Sequence, residues 1–216
     1  MRNVNRYLCL IIISILVLLT PISNISGSVN TNVVVVLKIN SPITRGVDEL
    51  VYEAIKYCEE LNAPLILILN TPGGLFDTAR NIVEYIVNSR IPVIGYVHPT
   101  GAQAWSAGTL ILLSTHIAAM TPGTLIGVAQ PVMYDPSTGS YKPVNESKIV
   151  NPIIALMKSL AERRGRNVTA AEKFVLENLY LDDEKAYHYH VVEVVASNII
   201  DLLGKVNGWS VRLDNG

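Results

Sequence analysis

The sequence is short of cysteine, of net charge and of metal-ligand patterns. It has only two cysteines, Cys9 and Cys58. Cys9 lies in an apolar leader, so the rest of the chain has one thiol and no internal disulfide. Cohesion must then come from the core. Cys58 falls at helical spacing with Val51, Ala54, Ile55 and Leu61, and reads as a buried apolar filler rather than a nucleophile. Lysine and arginine number 17 against 18 acidic residues, which leaves no basic excess to hold nucleic acid and no charged tail. Of His98, His116, His188 and His190, only the last two are close, and His188-Tyr189-His190 reads as structural. No metal site and no cofactor is expected. No internal repeat is evident, and no GxGxxG follows a strand, which argues against a dinucleotide binder. The glycosylation patterns at Asn145 and Asn167 are short enough to arise by chance.

What is present begins with the leader, residues 1–28. Arg2 and Arg6 precede an apolar run over residues 8–19, broken by Ser14, and Pro21, Ser23, Ser26, Gly27 and Ser28 follow. This is the plan of a secretory signal. If the run extends through Ile22 and Ile25, it becomes a retained membrane anchor. Either way the remainder, residues 29–216, is placed on the extracytoplasmic side.

That remainder alternates strands and helices. Strands are expected at 33–39, 64–69, 92–97, 116–120 and 191–196, and 123–128 leads into another. Helices are expected at 46–61, 75–88, 104–113, 148–164 and 198–206, with one more opened by a capping box, Thr169-Ala170-Ala171-Glu172. The strands are apolar throughout rather than alternating, so both sheet faces are covered. The fold class is therefore α/β, a single domain with a mostly parallel sheet and flanking helices. Residues 135–147 are polar and rich in turn formers, and read as a mobile loop.

Three segments carry chemistry. Thr71-Pro72-Gly73-Gly74 joins a buried strand to a helix; it is a plain turn or a backbone amide cradle. Gly101-Ala102-Gln103-Ala104-Trp105-Ser106-Ala107-Gly108 follows a strand and opens a helix. A serine there lies beside unpartnered N–H donors and the positive end of the dipole, which suits an acyl-transfer nucleophile; it also suits an ordinary N-cap. Lys148 opens a helix, where the dipole does not favour a cation.

Together these segments resemble the NfeD-type membrane-bound serine proteases, relatives of the ClpP and signal-peptide-peptidase-A enzymes. The resemblance covers about 33–206. It is close over Ala107-Gly108-Thr109 and from Ala119-Met120-Thr121-Pro122-Gly123-Thr124 to Ile126-Gly127, and over Lys158-Ser159-Leu160-Ala161 with Gly165-Arg166-Asn167. It implies a ClpP/crotonase-like fold, with Ser106 as nucleophile and Lys148 as general base. The Gly74 and Ala107 N–H groups would form the oxyanion hole, with Gly73 shaping the turn. It implies a protein or peptide substrate drawn from apolar segments of membrane proteins, such as a stomatin-like partner. It also implies membrane association and a homodimer or higher homo-oligomer. ClpP has a histidine before a Gln-Pro pair; here Ala129 precedes Gln130-Pro131, which leaves the Ser-Lys pair.

A free lysine titrates at about 10.4, and a base at neutral pH needs about 7–8, so this role requires burial, here against Ile149, Ile153 and the loop. Lys142 is the rival base. Trp105 departs from the family, which commonly has a small residue there; it either narrows a substrate pocket or packs inward. His190 stands where the family often has glycine. The competing functions are a crotonase-type acyl-CoA enzyme and a catalytically silent scaffold.

Overall fold

The computed structural model describes residues 33–214. The leader reading falls outside the described residues. No helix among the described residues is long and apolar enough to cross a membrane.

The chain runs β1 (Val35–Ile39), α1 (Val47–Leu61), β2 (Leu65–Leu69), α2 (Phe76–Val87), β3 (Val93–Val97), β4 (Gln103–Trp105), α3 (Ala107–Ser114), β5 (Ile117–Met120) and β6 (Leu125–Gly127). It continues with β7 (Val132–Asp135), β8 (Ser140–Pro143), α4 (Ser147–Arg163), α5 (Val168–Leu176), β9 (Tyr180–Asp182), α6 (Asp183–His188), β10 (Val194–Val195) and α7 (Ile199–Val206).

The main sheet has the order β1-β2-β3-β5-β10 and is parallel throughout. Every residue of β2 and β3 is buried, which is why their sequences show no alternation. One core lies where α1, α2 and α3 meet the sheet and includes Leu65, Leu67, Ile82, Ile111 and Leu112. A second includes Ile66, Ile94 and Tyr96, covered by Ile199, Leu202, Leu203 and Val206 of α7. Cys58 is fully buried in the first core, as its spacing indicates, and burial pushes its thiol up to about 12. A small second sheet, β4-β6-β9, sits at the carboxyl end of the main one, with β4 and β6 parallel and β6 and β9 antiparallel.

Several expectations are corrected. The helix expected from residue 104 begins at Ala107, because 103–105 pair as β4 with β6. The stretch 135–147 is not a plain loop. β7 and β8 form an antiparallel hairpin, closed where Gly139 N–H donates to Asp135 O (2.9 Å) and braced by Tyr134 against Tyr141. α5 is capped by Asn167, whose side chain accepts from Ala170 N–H (2.9 Å), so the helix begins at Val168, ahead of the expected capping box, and Thr169 lies inside the helix rather than capping it. β9 and α6 have no counterpart in the sequence reading; Asp182 caps α6 by accepting from Lys185 N–H (2.8 Å).

Candidate active site

The elbow at Ser106 is assembled from distant segments. Thr71 flanks β4 on one side: its N–H donates to Gln103 O (2.7 Å) and its carbonyl accepts from Trp105 N–H (3.0 Å). β6 flanks the other, with Trp105 opposite Gly127, and Ser106 N–H donates to Gly127 O (2.9 Å). Held from both sides, Ser106 adopts φ 51° and ψ −111°. Positive φ is uncommon for a non-glycine residue and costs about 1–3 kcal/mol.

Ser106 stands at the N-cap position of α3, yet its side chain makes no capping bond. The ordinary N-cap reading therefore fails. The hydroxyl makes no hydrogen bond among the described residues and remains available for other chemistry.

Gly73 lies against this serine. A Cβ on it would fall 2.8 Å from Ser106 Cβ, 3.0 Å from Trp105 O and 3.4 Å from Ala107 N. Its φ is 97°, which glycine alone adopts readily. Ile43 N–H donates to Gly73 O and Leu75 N–H donates to Ile43 O, both at 2.8 Å. In a parallel bridge this pattern turns the Gly74 N–H away from Ile43. Ala107 is the first residue of α3, where an N–H has no intrahelical partner. Neither N–H donates to a group among the described residues. Two free donors thus lie at the turn and at the positive end of α3.

Thr109 has a part that sequence reasoning missed. Its hydroxyl accepts from Gly127 N–H (2.8 Å) and donates to Ala104 O (2.7 Å), tying α3 to β4 and β6 below the elbow. Thr71 Oγ1 accepts from Gly73 N–H (3.2 Å), bracing the glycine turn. Nothing in spacing distinguishes these threonines from other core residues.

Lys148 stands second in α4, after Ser147. It is exposed, and it makes no hydrogen bond or ion pair among the described residues. The burial expected around it is not present, because Ile149 and Ile153 are themselves only half-buried at this protruding helix start. The structure does not bring Lys148 into hydrogen-bond contact with Ser106. Pro152 lies inside α4. It has no N–H, so the Lys148 carbonyl lacks the usual partner four residues on and the first turn is loosely tied. Lys142 lies on the hairpin, paired with Asp135 (2.6 Å). That pair and the Ser137 contacts hold the Asp135 carboxyl down to about 2.

The histidines lie apart from the elbow's hydrogen bonds. His98 Nδ1 meets Thr121 Oγ1 (2.9 Å) and its ring stacks on Tyr96. His116 is buried; its Nδ1 accepts from Val93 N–H (3.1 Å), so Nε2 carries the proton and has no partner among the described residues. His188 ends α6, and His190 takes φ 56° beyond it, in a local turn. Ala129 is buried, its N–H donating to Phe174 O (2.8 Å).

A parallel α/β domain with a serine on a strained strand-to-helix elbow, beside free amides, belongs to the ClpP-like class. Residues 33–204 match the family model of the NfeD1b N-terminal domain, and the chain belongs to that family. It is 43% identical over 204 residues to the membrane-bound protease PH1510 of Pyrococcus horikoshii, covering 94% of this chain and 45% of that protein. It is 32% identical over 97 residues to membrane protein NfeD1b of Bacillus subtilis, covering 44% of this chain and 22% of that one. The chain thus spans less than half the length of these relatives.

Among solved structures, it is similar to the 1510-N membrane-bound stomatin-specific protease, a lysine-to-alanine mutant in complex with a substrate peptide. That match has TM-score 0.80 and 44% identity, and covers 84% of this chain and 83% of the other. A serine-to-alanine mutant of the same protease matches with TM-score 0.78 and 44% identity, covering 82% and 85%.

Proposed function

We propose that this domain is a serine endopeptidase. Ser106 is the nucleophile, Lys148 the general base, and the N–H groups of Gly74 and Ala107 are the oxyanion donors. The observation that carries this reading is the strained, uncapped Ser106. A structural serine has no need of φ 51°, whereas a nucleophile is presented by it.

Neutral Lys148 Nζ takes the Ser106 hydroxyl proton as Oγ adds to the scissile carbonyl. The carbonyl oxygen becomes an oxyanion between Gly74 N–H and Ala107 N–H. Collapse breaks the C–N bond, and Lys148 returns the proton to the leaving amine. Water, deprotonated by the same lysine, then releases the acyl group and restores Ser106.

Lys148 rather than Lys142 is favoured by spacing. The relative's mutated serine and lysine are 41 positions apart, against 42 for Ser106 and Lys148 and 36 for Ser106 and Lys142. Exposure of Lys148 fits a base that is desolvated only when a peptide covers it, and the Pro152 interruption gives its helical turn the freedom to settle.

The relative named as specific for a stomatin homologue supports a stomatin-like substrate; that apolar segments of membrane-associated proteins are cut, and on the extracytoplasmic side, rests on the resemblance and on the leader's charge pattern. The catalytically silent reading has one observation behind it, the lack of contact between Lys148 and Ser106.

Cleavage of an apolar peptide library separates the two. Wild type should cut, and Ser106→Ala, Lys148→Ala and Lys148→Arg should not, since arginine keeps the charge but cannot accept the proton. Lys142→Ala should remain active. Full activity of Lys148→Arg would overturn the dyad, and an inert wild type would favour the silent reading.

A further inference from the structure

Ser106 is the N-cap of α3, and Thr109 is the third residue of that helix. In an ordinary capping box the third helical side chain reaches back to the N-cap N–H, and the N-cap side chain bonds the third N–H in return. At this helix start both side chains do something else. Ser106 N–H donates to Gly127 O (2.9 Å), and the Ser106 side chain makes no capping bond. The Thr109 hydroxyl turns to that same glycine: it accepts from Gly127 N–H (2.8 Å), and its oxygen lies 3.0 Å from Gly127 O. The two ends of the box are thus joined through Gly127 of β6, and the serine hydroxyl is left out of the exchange.

The same hydroxyl donates to Ala104 O on β4 (2.7 Å). One fully buried group therefore meets α3, β4 and β6, the three elements that converge on Ser106. It reaches Ala104 because α3 starts close against the neighbouring strand end. A Cβ on Gly108 would fall 2.6 Å from Thr71 Cγ2 and 3.3 Å from Ala104 Cβ. Packing alone does not call for a hydroxyl here, since Leu110, Ile111, Leu112 and Leu113 fill the rest of the helix with apolar side chains. A strained residue persists only where its surroundings over-determine it, and Ser106 with φ 51° is such a residue.

We propose that Thr109 is a positioning residue of the peptidase. Its hydroxyl fixes Gly127, from which the Ser106 N–H hangs, against the first turn of α3, which carries the Ala107 N–H. Nucleophile and oxyanion donor are thereby locked to one another, and Thr109 itself does not touch substrate. The proposal rests on Ser106 being the nucleophile.

The test compares wild type with Thr109→Val and Thr109→Ser. Valine keeps the shape and removes the hydroxyl; serine keeps the hydroxyl and removes the methyl. The readouts are kcat and KM on a cleaved peptide, the rate at which a small fluorophosphonate labels Ser106, and circular dichroism. A displacement near 1 Å costs roughly 100-fold in rate, so Thr109→Val should lose about that factor in kcat and in labelling, with KM little changed. Thr109→Ser should stay near wild type. A threonine that is merely structural would lower stability and leave kcat per folded molecule unchanged. If Thr109→Val does not fold, Thr109→Ala, which also lacks the hydroxyl, is read in the same way. Wild-type kcat and labelling in the folded variant without the hydroxyl, or equal losses in it and in Thr109→Ser, would overturn the positioning role alone. A wild type that is neither labelled nor active would overturn the nucleophile reading and this role with it.

Discussion

Gly73 and Ser106 are packed so closely that a methyl group on the glycine would stand 2.8 Å from the serine Cβ. That is closer than two carbons can approach, so one of them must move. Gly73→Ala should therefore displace the elbow as well as strain the turn, whose φ is 97°. A displacement near 1 Å costs roughly 100-fold in rate. The measurement is kcat/KM on a cleaved peptide, with circular dichroism to show retained fold. Activity near wild type would contradict the packing.

Arg166 should be the stabilising residue least tolerant of change. It is buried, and it donates to the carbonyls of Leu113 (2.8 Å) and Thr115 (3.0 Å) at the end of α3. It also forms a two-pronged pair with Glu193, at 2.7 and 2.8 Å. Arg166→Met would leave those carbonyls without their donor and the partly buried Glu193 carboxylate without its counter-charge, held among the described residues only by the Ala118 N–H (2.6 Å). A loss of about 3–5 kcal/mol is expected in urea unfolding. A loss below about 1 kcal/mol, the value of an exposed ion pair, would refute this role.

The parts of this architecture visible in the sequence are those fixed by local pattern. β2 and β3 show as continuous apolar runs because helices bury both their faces, and α1 shows through its apolar stripe. Ser106 is visible as a serine between a strand and a helix of small residues. Its strain is not visible, because Gly127 and Thr71 impose it from elsewhere in the chain. β4 and β9 have three residues each, too few to display a period, and they exist through pairing with β6. The hairpin escaped notice because all but one of its strand residues are exposed, so no burial pattern is written into it.

Stability should fall on acidification as His116 titrates. Burial, with help from the Arg164 and Arg166 guanidiniums, lowers its pKa to about 4; Asp214 opposes this. An unfolded histidine titrates at about 6.5, so between those values the unfolded chain binds the extra proton. The contribution is whole above about 6.5, declines as pH falls and is exhausted below about 4, for a total on the order of 3 kcal/mol. His116→Gln should flatten the unfolding free energy across this window. An equal decline in wild type and variant would contradict the assignment.

The central claim is that Ser106 forms a covalent bond to the acyl part of its substrate. A slowly deacylating ester, quenched in acid and followed by intact mass, tests it directly. Wild type should gain one acyl mass, placed on Ser106 by fragmentation, and Ser106→Ala should gain none. An adduct on another residue, or an equal adduct in Ser106→Ala, would contradict the account.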